Sequence, residues 1–564
     1  MRPARRGLVD GQTALVAALL ALLLAVLVLP PLYLLLQGAV TDAAGALTTR
    51  NFATALGGRL FLDSLVNTVL FAAGSAALAL VVGTVTAWIV ERTNTPLKGL
   101  AYLTTVISLG TPYVLYVGAW LLLLGKAGPI NQLWREWTGG FDPLINVYSL
   151  PGMILVEGLL WSPLVFLLIG ASLRSFNPEL EEAARMSGAG LWRTIRRITL
   201  GLSLPAMLAL AMLVFIRAFE AFEVPALVGM PGRVYVLTTD IYQTMRSMPP
   251  DFGSASAFSV IMLAIVLVLL LFYGRLSRHA ERFATVTGKG FRAKRLDIGW
   301  LRWPAAAILL VNFLVLLAVP IAMLVWASLL PFYQPLSRRA LGLLTIANYR
   351  TVFAAEFLPL ALNTVLVGLA AASAVILLTL FASWLSVRRA QGGWLAERLA
   401  MAPLVFPGIV LGVAVMQIFL RVPIPIYGTL WILIWAFIIS YLPYGMRYSA
   451  SGMLQIHREL EEVAAISGAS PLTRLRRIVA PLLGPSLLAG WLFIFLLAAR
   501  ALSLPILLAG PRSQTMAVAM YDLWSNGQGT ELAALGLLWT GLMTLIAVIF
   551  YMLTRRSAAG AAHN

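Results

Sequence analysis

Cysteine is absent from the 564 residues, and histidine occurs only at His279, His457 and His563. Without a thiol the chain can build no disulfide framework, iron–sulfur cluster or thiolate metal site. Three histidines so widely scattered make no zinc site, so no bound metal is expected. Acid is scarce too, with 23 Asp and Glu against 41 Lys and Arg, a net charge of +18. Nowhere does Gly-x-x-x-x-Gly-Lys-Ser/Thr occur; the nearest run, Thr287-Gly288-Lys289-Gly290, lacks the leading glycine and the hydroxyl that would meet Mg²⁺. His-Glu-x-x-His and Gly-x-Ser-x-Gly are missing as well, which leaves metal-dependent and serine hydrolysis unsupported. The chain is expected to be no enzyme, to carry no cofactor, and to draw energy from elsewhere.

What fills the chain is oil: 60% of residues are hydrophobic and the mean hydropathy is +0.88, where a globular protein is roughly half apolar. A bilayer core needs about 20 apolar residues per helix. Twelve stretches qualify, near 13–37, 64–90, 99–124, 149–172, 201–224, 256–274, 303–330, 361–386, 399–420, 427–446, 481–504 and 533–554. The first is longer than the apolar core of a signal peptide and follows the basic start Arg2, Arg5, Arg6, so it reads as an uncleaved helix. Alternating the spans gathers most of the basic residues on one face, which by the positive-inside rule is the cytoplasm and holds both termini. The positive charge therefore reads as topology, not as a nucleic-acid surface. The expected fold class is an all-α membrane protein lodged in a lipid bilayer.

The chain repeats itself. Residues 180–206 begin Leu-Glu-Glu, and 280 positions later residues 460–486 begin the same way. Ser187-Gly188-Ala189 matches Ser467-Gly468-Ala469, and Arg196-Arg197-Ile198 matches Arg476-Arg477-Ile478. Asn67-Thr68-Val69-Leu70 returns as Asn363-Thr364-Val365-Leu366, and Trp88 returns as Trp384. An even number of spans separates the copies, so the chain is expected to form two parallel six-helix halves, each an extra first helix plus a five-helix core. The divisions expected are 1–60 (first helix and external loop), 61–275 (first core), 276–356 (basic linker, extra helix and external loop), 357–555 (second core) and 556–564 (tail). The segments 125–148 and 225–255, with counterparts near 331–360 and 505–532, are expected outside, as docking surfaces or as connectors.

Each repeated polar stretch can form a compact knob. Acidic side chains suit a helix N-terminus, Gly188 allows a turn that a Cβ would resist, and Arg193, Arg196 and Arg197 lie on an amphipathic turn after it. The pattern resembles the signature loop of ABC importer permeases: Glu-Ala-Ala, three residues, Gly, nine residues, Ile-x-Leu-Pro. Glu182-Ala183-Ala184, Gly188, Ile198 and Leu200 match, with Gly201 at the proline position. The second copy has Glu462-Val463-Ala464, Gly468, Ile478, Ala480 and Pro481. The resemblance implies a type I permease core in each half, and two separate ATP-binding subunits that carry ATP and Mg²⁺ and grip these knobs. It also implies an external solute-binding protein and a place in the bacterial inner membrane. The residues it assigns to coupling are Glu181, Glu182, Ala183, Ala184, Gly188, Arg196 and Arg197, and Glu461, Glu462, Ala464, Gly468, Arg476 and Arg477.

Charge inside a span marks function or a paired partner. The run FIRAFEAFEVPALVGMP places Arg217, Glu220 and Glu223 at i, i+3 steps along one side of a helix. The repeat sets Arg500 against Glu220 and Ser503 against Glu223. Glu220 and Arg500 are therefore expected to face each other across the pseudo-twofold axis near the outer mouth as a gate or substrate contact; the alternatives are an interfacial snorkel or an intrahelical Arg217–Glu220 pair. Glu157 is expected to bond a neighbouring helix, and Asn67 and Asn363 to make interhelical contacts. Gly408 and Gly412 suit a small-residue packing face, while Tyr113, Tyr116, Trp120 and Trp161 are expected in the aromatic belt or in packing. Fused double permeases resemble the iron(III) and thiamine branch, and residues 220–227 with 236–242 look most like ferric iron members. Thiamine, aminoethylphosphonate and polyamine remain as alternative cargo. An ion-coupled secondary transporter is the competing class, and a channel is disfavoured by the lack of a filter sequence.

Overall fold

Proline interrupts one apolar run at the same place in each half and is carried inside helices elsewhere. The computed structural model describes residues 11–561 except 43, 58, 176–182, 185, 189, 195, 198–199, 283–295, 389, 391 and 422–424. The first half contains α1 (Gly11–Val40), α2 (Arg59–Arg92), α3 (Lys98–Gly110), α4 (Tyr113–Leu124), α5 (Leu150–Ser175), α6 (Leu200–Phe219), α7 (Leu237–Arg246) and α8 (Phe252–Arg282). The second opens with α9 (Arg302–Phe313) and α10 (Val319–Ser328), joined by a π turn at Leu314–Ala318. It continues with α11 (Leu358–Val387), α12 (Gly393–Met401), α13 (Gly408–Arg421), α14 (Leu430–Leu454), α15 (Glu459–Ile466), α16 (Ala480–Arg500), α17 (Met516–Ser525) and α18 (Gly529–Ala561). Among the described residues the only β pairings are the isolated bridges Thr41–Leu47 and Thr93–Leu296.

Among the described residues, ten helices are long and apolar enough to cross a bilayer; Ser203–Phe219 is a shorter apolar helix, and one further pair of apolar helices is sharply bent. The break corrects the sequence expectation. Residues 399–420, expected as one span, comprise α12, a 3₁₀ turn at Ala402–Val405 and α13, bent by 110°. The equivalent span at 99–124 is also two helices, α3 and α4. The cause recurs at the same place in both halves. Pro112 and Pro407 lack an N–H and push the preceding residue out of the helical region, so Thr111 and Phe406 are extended.

The outer surface is apolar. On α1, Leu15, Leu19, Leu22, Val26 and Leu29 are exposed along one stripe, and α11 exposes Leu358, Leu362, Leu366 and Leu369 likewise. Water would reject such stripes, whereas lipid tails cover them.

The extra helices are exchanged between the halves. α1 packs on α8 and then on α12 and α13 of the second half, and α9 and α10 pack on α3, α4 and α18. Polar contacts pin both exchanges: Arg421 donates to Gln37 Oε1 at 2.8 Å, and Tyr333 donates to the Leu122 carbonyl at 2.7 Å.

The segments expected outside as docking surfaces or connectors are partly interior. The π turn Pro225–Gly229 is wholly buried, as is its counterpart Pro505–Leu508, and α7 and α17 each bury six of their ten residues. The repeated Asn-Thr pair holds both hairpins in place. Asn67 donates to the Tyr235 carbonyl at 3.1 Å, and Thr68 accepts from Leu237 N–H at 3.0 Å. In the second half Asn363 donates to the Gln514 carbonyl at 3.0 Å, and Thr364 accepts from Met516 N–H at 2.8 Å. Each threonine thus caps a helix whose first N–H groups have no water to turn to. Thr364→Val keeps the shape but orphans the buried Met516 N–H, at a cost of about 1–3 kcal/mol. The expected outcome is a lower unfolding temperature in detergent, with Thr364→Ser near wild type.

Candidate functional site

The second knob is built by its own sequence. Glu459, Glu461 and Glu462 open α15 at its positive end, and the helix stops where Ser467 gives way to Gly468 at φ +83°. Ala469 N–H then bonds the Ala464 carbonyl and Gly468 N–H the Ala465 carbonyl, both at 3.0 Å. These two bonds form a Schellman motif, which needs the left-handed conformation that glycine adopts freely. Ser470 accepts from Thr473 N–H and starts the short helix Pro471–Arg474, which runs through a π turn into α16 with Arg476 and Arg477 exposed. The first knob has Ala183 and Ala184 in helix, the same left-handed glycine at Gly188 (φ +79°), and the short helix Leu191–Thr194 with Arg193, Arg196 and Arg197 exposed. Glu181, Glu182 and Ile198 lie outside the described residues.

Two of the three glutamates that open α15, Glu461 and Glu462, differ. Glu462 is exposed and pairs only loosely with Arg458, at 3.1 Å across one helical turn. Glu461 is buried; Arg388 Nε donates to its Oε1 at 2.6 Å and Trp384 Nε1 to its Oε2 at 3.0 Å. The spacing had offered a signal for this: Arg92 and Arg388 lie at the same offset as Trp88 and Trp384.

The charged groups of the fifth spans gather at the seam between halves, in a different arrangement from the one expected. α6 ends at Phe219, so Arg217, Glu220 and Glu223 do not share one helical face. Glu220 takes the neighbouring Arg217, with Nη1 3.0 Å from Oε2, which is the intrahelical alternative to a Glu220–Arg500 pair. Glu223, beyond the break, accepts from Phe222 N–H at 3.4 Å. Each arginine rests on a tyrosine of the other half: Arg500 Cζ lies 4.5 Å from the centre of the Tyr113 ring, and Arg217 Cζ lies 5.8 Å from that of Tyr444. Cation–π contacts of this kind strengthen where water is excluded. Nearby, Tyr242 and Tyr521, equivalent in the repeat, meet edge-on with centroids 6.5 Å apart.

Two smaller expectations change. Glu157 bonds Trp161 within its own helix at 2.8 Å rather than a neighbouring helix. Asn67 and Asn363 hold the hairpins rather than another spanning helix. Of the two places expected for Tyr116 and Trp120, they take packing, each 5% exposed in the core. Gly408 and Gly412 do serve close packing, since a Cβ at Gly408 would lie 2.3 Å from Ser503 Oγ. Among the described residues, no three His, Asp or Glu side chains gather where a metal ion could be held.

Comparison with known proteins places this architecture. Residues 79–282 match the family described as the binding-protein-dependent transport system inner membrane component. The chain is 26% identical over 446 residues to a ferric transport system permease protein of Actinobacillus pleuropneumoniae, covering 78% of this chain and 63% of that one. It is 27% identical over 527 residues to a probable ABC transporter permease protein of Sinorhizobium fredii, covering 88% and 87%. Over most of its length, then, the chain is similar to ABC transporter permeases, and over residues 79–282 to the binding-protein-dependent family of them. The chain aligns with less than two thirds of the length of the Actinobacillus protein. A molybdenum transport system permease protein of Escherichia coli is 28% identical over 200 residues, 35% of the permease and 85% of that chain. Among solved structures, a bacterial alginate importer is 23% identical with a TM-score of 0.38, covering 44% of the permease and 88% of that chain. The family match takes in the first knob together with Arg217, Glu220 and Glu223; the second knob and Arg500 join it through the internal repeat.

Proposed function

We propose that the permease is the membrane subunit of an ATP-driven importer that receives iron(III) from an external binding protein. The observation that carries this reading is the geometric match of the knobs. Both turn on a left-handed glycine, at φ +79° and +83°, and both follow it with a short helix and exposed arginines. An even number of crossings separates them, so two like surfaces emerge on one side of the membrane, as two copies of one ATPase require. ATP and Mg²⁺ then belong to that partner, and both termini of the permease lie in the cytoplasm of a bacterial cell. Glu182, Glu462 and the arginines Arg196, Arg197, Arg476 and Arg477 are the groups offered to it. An ion-coupled transporter would have no use for a matched pair of charged knobs.

Iron is favoured over other cargo because the relatives named as ferric permeases align across both halves, over 78% and 70% of this chain, whereas the molybdenum permease aligns with 35%. In the same reading the seam cluster is the gate: Arg217 and Arg500, each resting on a tyrosine of the opposite half, close the route while the halves stay together. In proteoliposomes holding the permease, its ATPase and its binding protein, uptake of radiolabelled iron(III) is expected to require ATP. Uptake driven by an ion gradient without the ATPase would overturn the reading.

A further inference from the structure

We propose that Glu461 is not a docking residue but the joint that fastens the second knob to α11, so that a push on the knob is delivered along that helix to the seam. This rests on the coupling role proposed above. The joint is specific in its chemistry. Trp384 and Arg388 stand one turn apart near the end of α11 and close on the two oxygens of one carboxylate, which is 5% exposed. Arg388 also donates from Nη2 to the Ile456 carbonyl at 3.1 Å, so the same side chain holds the link that enters the knob. Glu462, next in sequence, is exposed and left to face a partner.

α11 is suited to carry a push. Its 30 residues run about 45 Å, and its only proline is Pro359 in the first turn, whereas α14 and α16, which flank the knob in sequence, contain Pro443 and Pro485 in their interiors. At the far end of α11, Asn363 and Thr364 grip the hairpin that leads into α17. α17 in turn carries Tyr521, which meets Tyr242 of the other half. A chain of hydrogen-bonded and rigid parts thus joins Glu461 to the contact between the halves. The repeat sets Trp88, Arg92 and Glu181 at the corresponding positions of the first half's sequence.

The test compares E461A, R388A, W384F and E462A with wild type, measuring membrane amount, co-purified ATPase, ATP hydrolysis and uptake. E461A and R388A are expected to retain the ATPase yet lose uptake at least tenfold, with hydrolysis no longer stimulated by the loaded binding protein. W384F, which removes one hydrogen bond and leaves no charge unpaired, is expected to lose uptake about threefold at normal membrane amount. The exchange E461R with R388E is expected to recover uptake several-fold over either single variant, whereas E462A is expected to lose the ATPase itself. Normal uptake in W384F and E461A, or loss of the ATPase from E461A, would overturn the joint. A wild-type permease that retains no ATPase would instead overturn the coupling role beneath it.

Discussion

Gly468→Val is expected to reduce uptake at least tenfold while leaving the permease in the membrane at its normal amount. The argument is conformational, not steric. A Cβ built at Gly468 meets nothing within 4 Å, and the same holds at Gly188, so neither glycine is there to make room. What both need is a positive φ, which costs an ordinary L-residue roughly 1–2 kcal/mol and a β-branched one more. The knob has little with which to absorb that cost. Its α15 is eight residues long and ends on the two Schellman bonds that the left-handed turn makes possible. A loss of about 2 kcal/mol depopulates the docked shape by more than tenfold, since each 1.4 kcal/mol is a factor of ten. Asparagine tolerates the left-handed region, so Gly468→Asn is expected to retain most of the uptake. Uptake assays with immunoblots of the membrane fraction check both, and equal uptake by the valine and asparagine variants would mean that the turn is not what the glycine provides.

The second large effect lies at the seam. Removing the Glu220 carboxylate leaves the Arg217 guanidinium in a site where the pair is largely buried, with side chains 25% and 9% exposed. Breaking a buried pair on one side typically costs about 3–5 kcal/mol, whereas removing both partners is often neutral. Glu220→Leu is therefore expected to lower the amount of folded permease severely, and Arg217→Leu with Glu220→Leu to restore it. If the cluster is also the gate, the restored double variant still fails in regulated uptake, because the Arg217 contact with Tyr444 is gone. Full amount together with ATP-dependent, binding-protein-dependent uptake at the wild-type rate would leave the pair a purely structural one.

Much of this molecule is legible from its residues, and the rest fails for identifiable reasons. The knobs could be read because the repeat preserves charges and a glycine, features that apolar packing alone would not keep in register. The parallel halves follow from an even number of crossings. The broken third spans are hidden from hydropathy, because a single proline hardly lowers the mean of an apolar run, although Thr111-Pro112 and Phe406-Pro407 carry the local signal. The interior hairpins were read as external because Gly, Pro and Asn mark turns without saying how deep a turn lies. Counting along the repeat sets Glu220 against Arg500, but equivalence in a repeat does not say which partner a side chain takes, and Glu220 takes Arg217 three residues before it. Periodicity assigns Tyr113 to belt or packing alike, since it cannot distinguish an aromatic facing lipid from one beneath an arginine of the other half.

The exchange of first helices has a mechanical meaning. Because α1 leans on α12 and α13 while α9 and α10 lean on α3 and α4, neither half can rock without dragging an anchored rod of its neighbour. In the proposed importer, strokes from two ATPase subunits would be geared together, so that a single firing would turn both jaws. Fusing the halves into one polypeptide then adds fixed stoichiometry to a pair already interlocked.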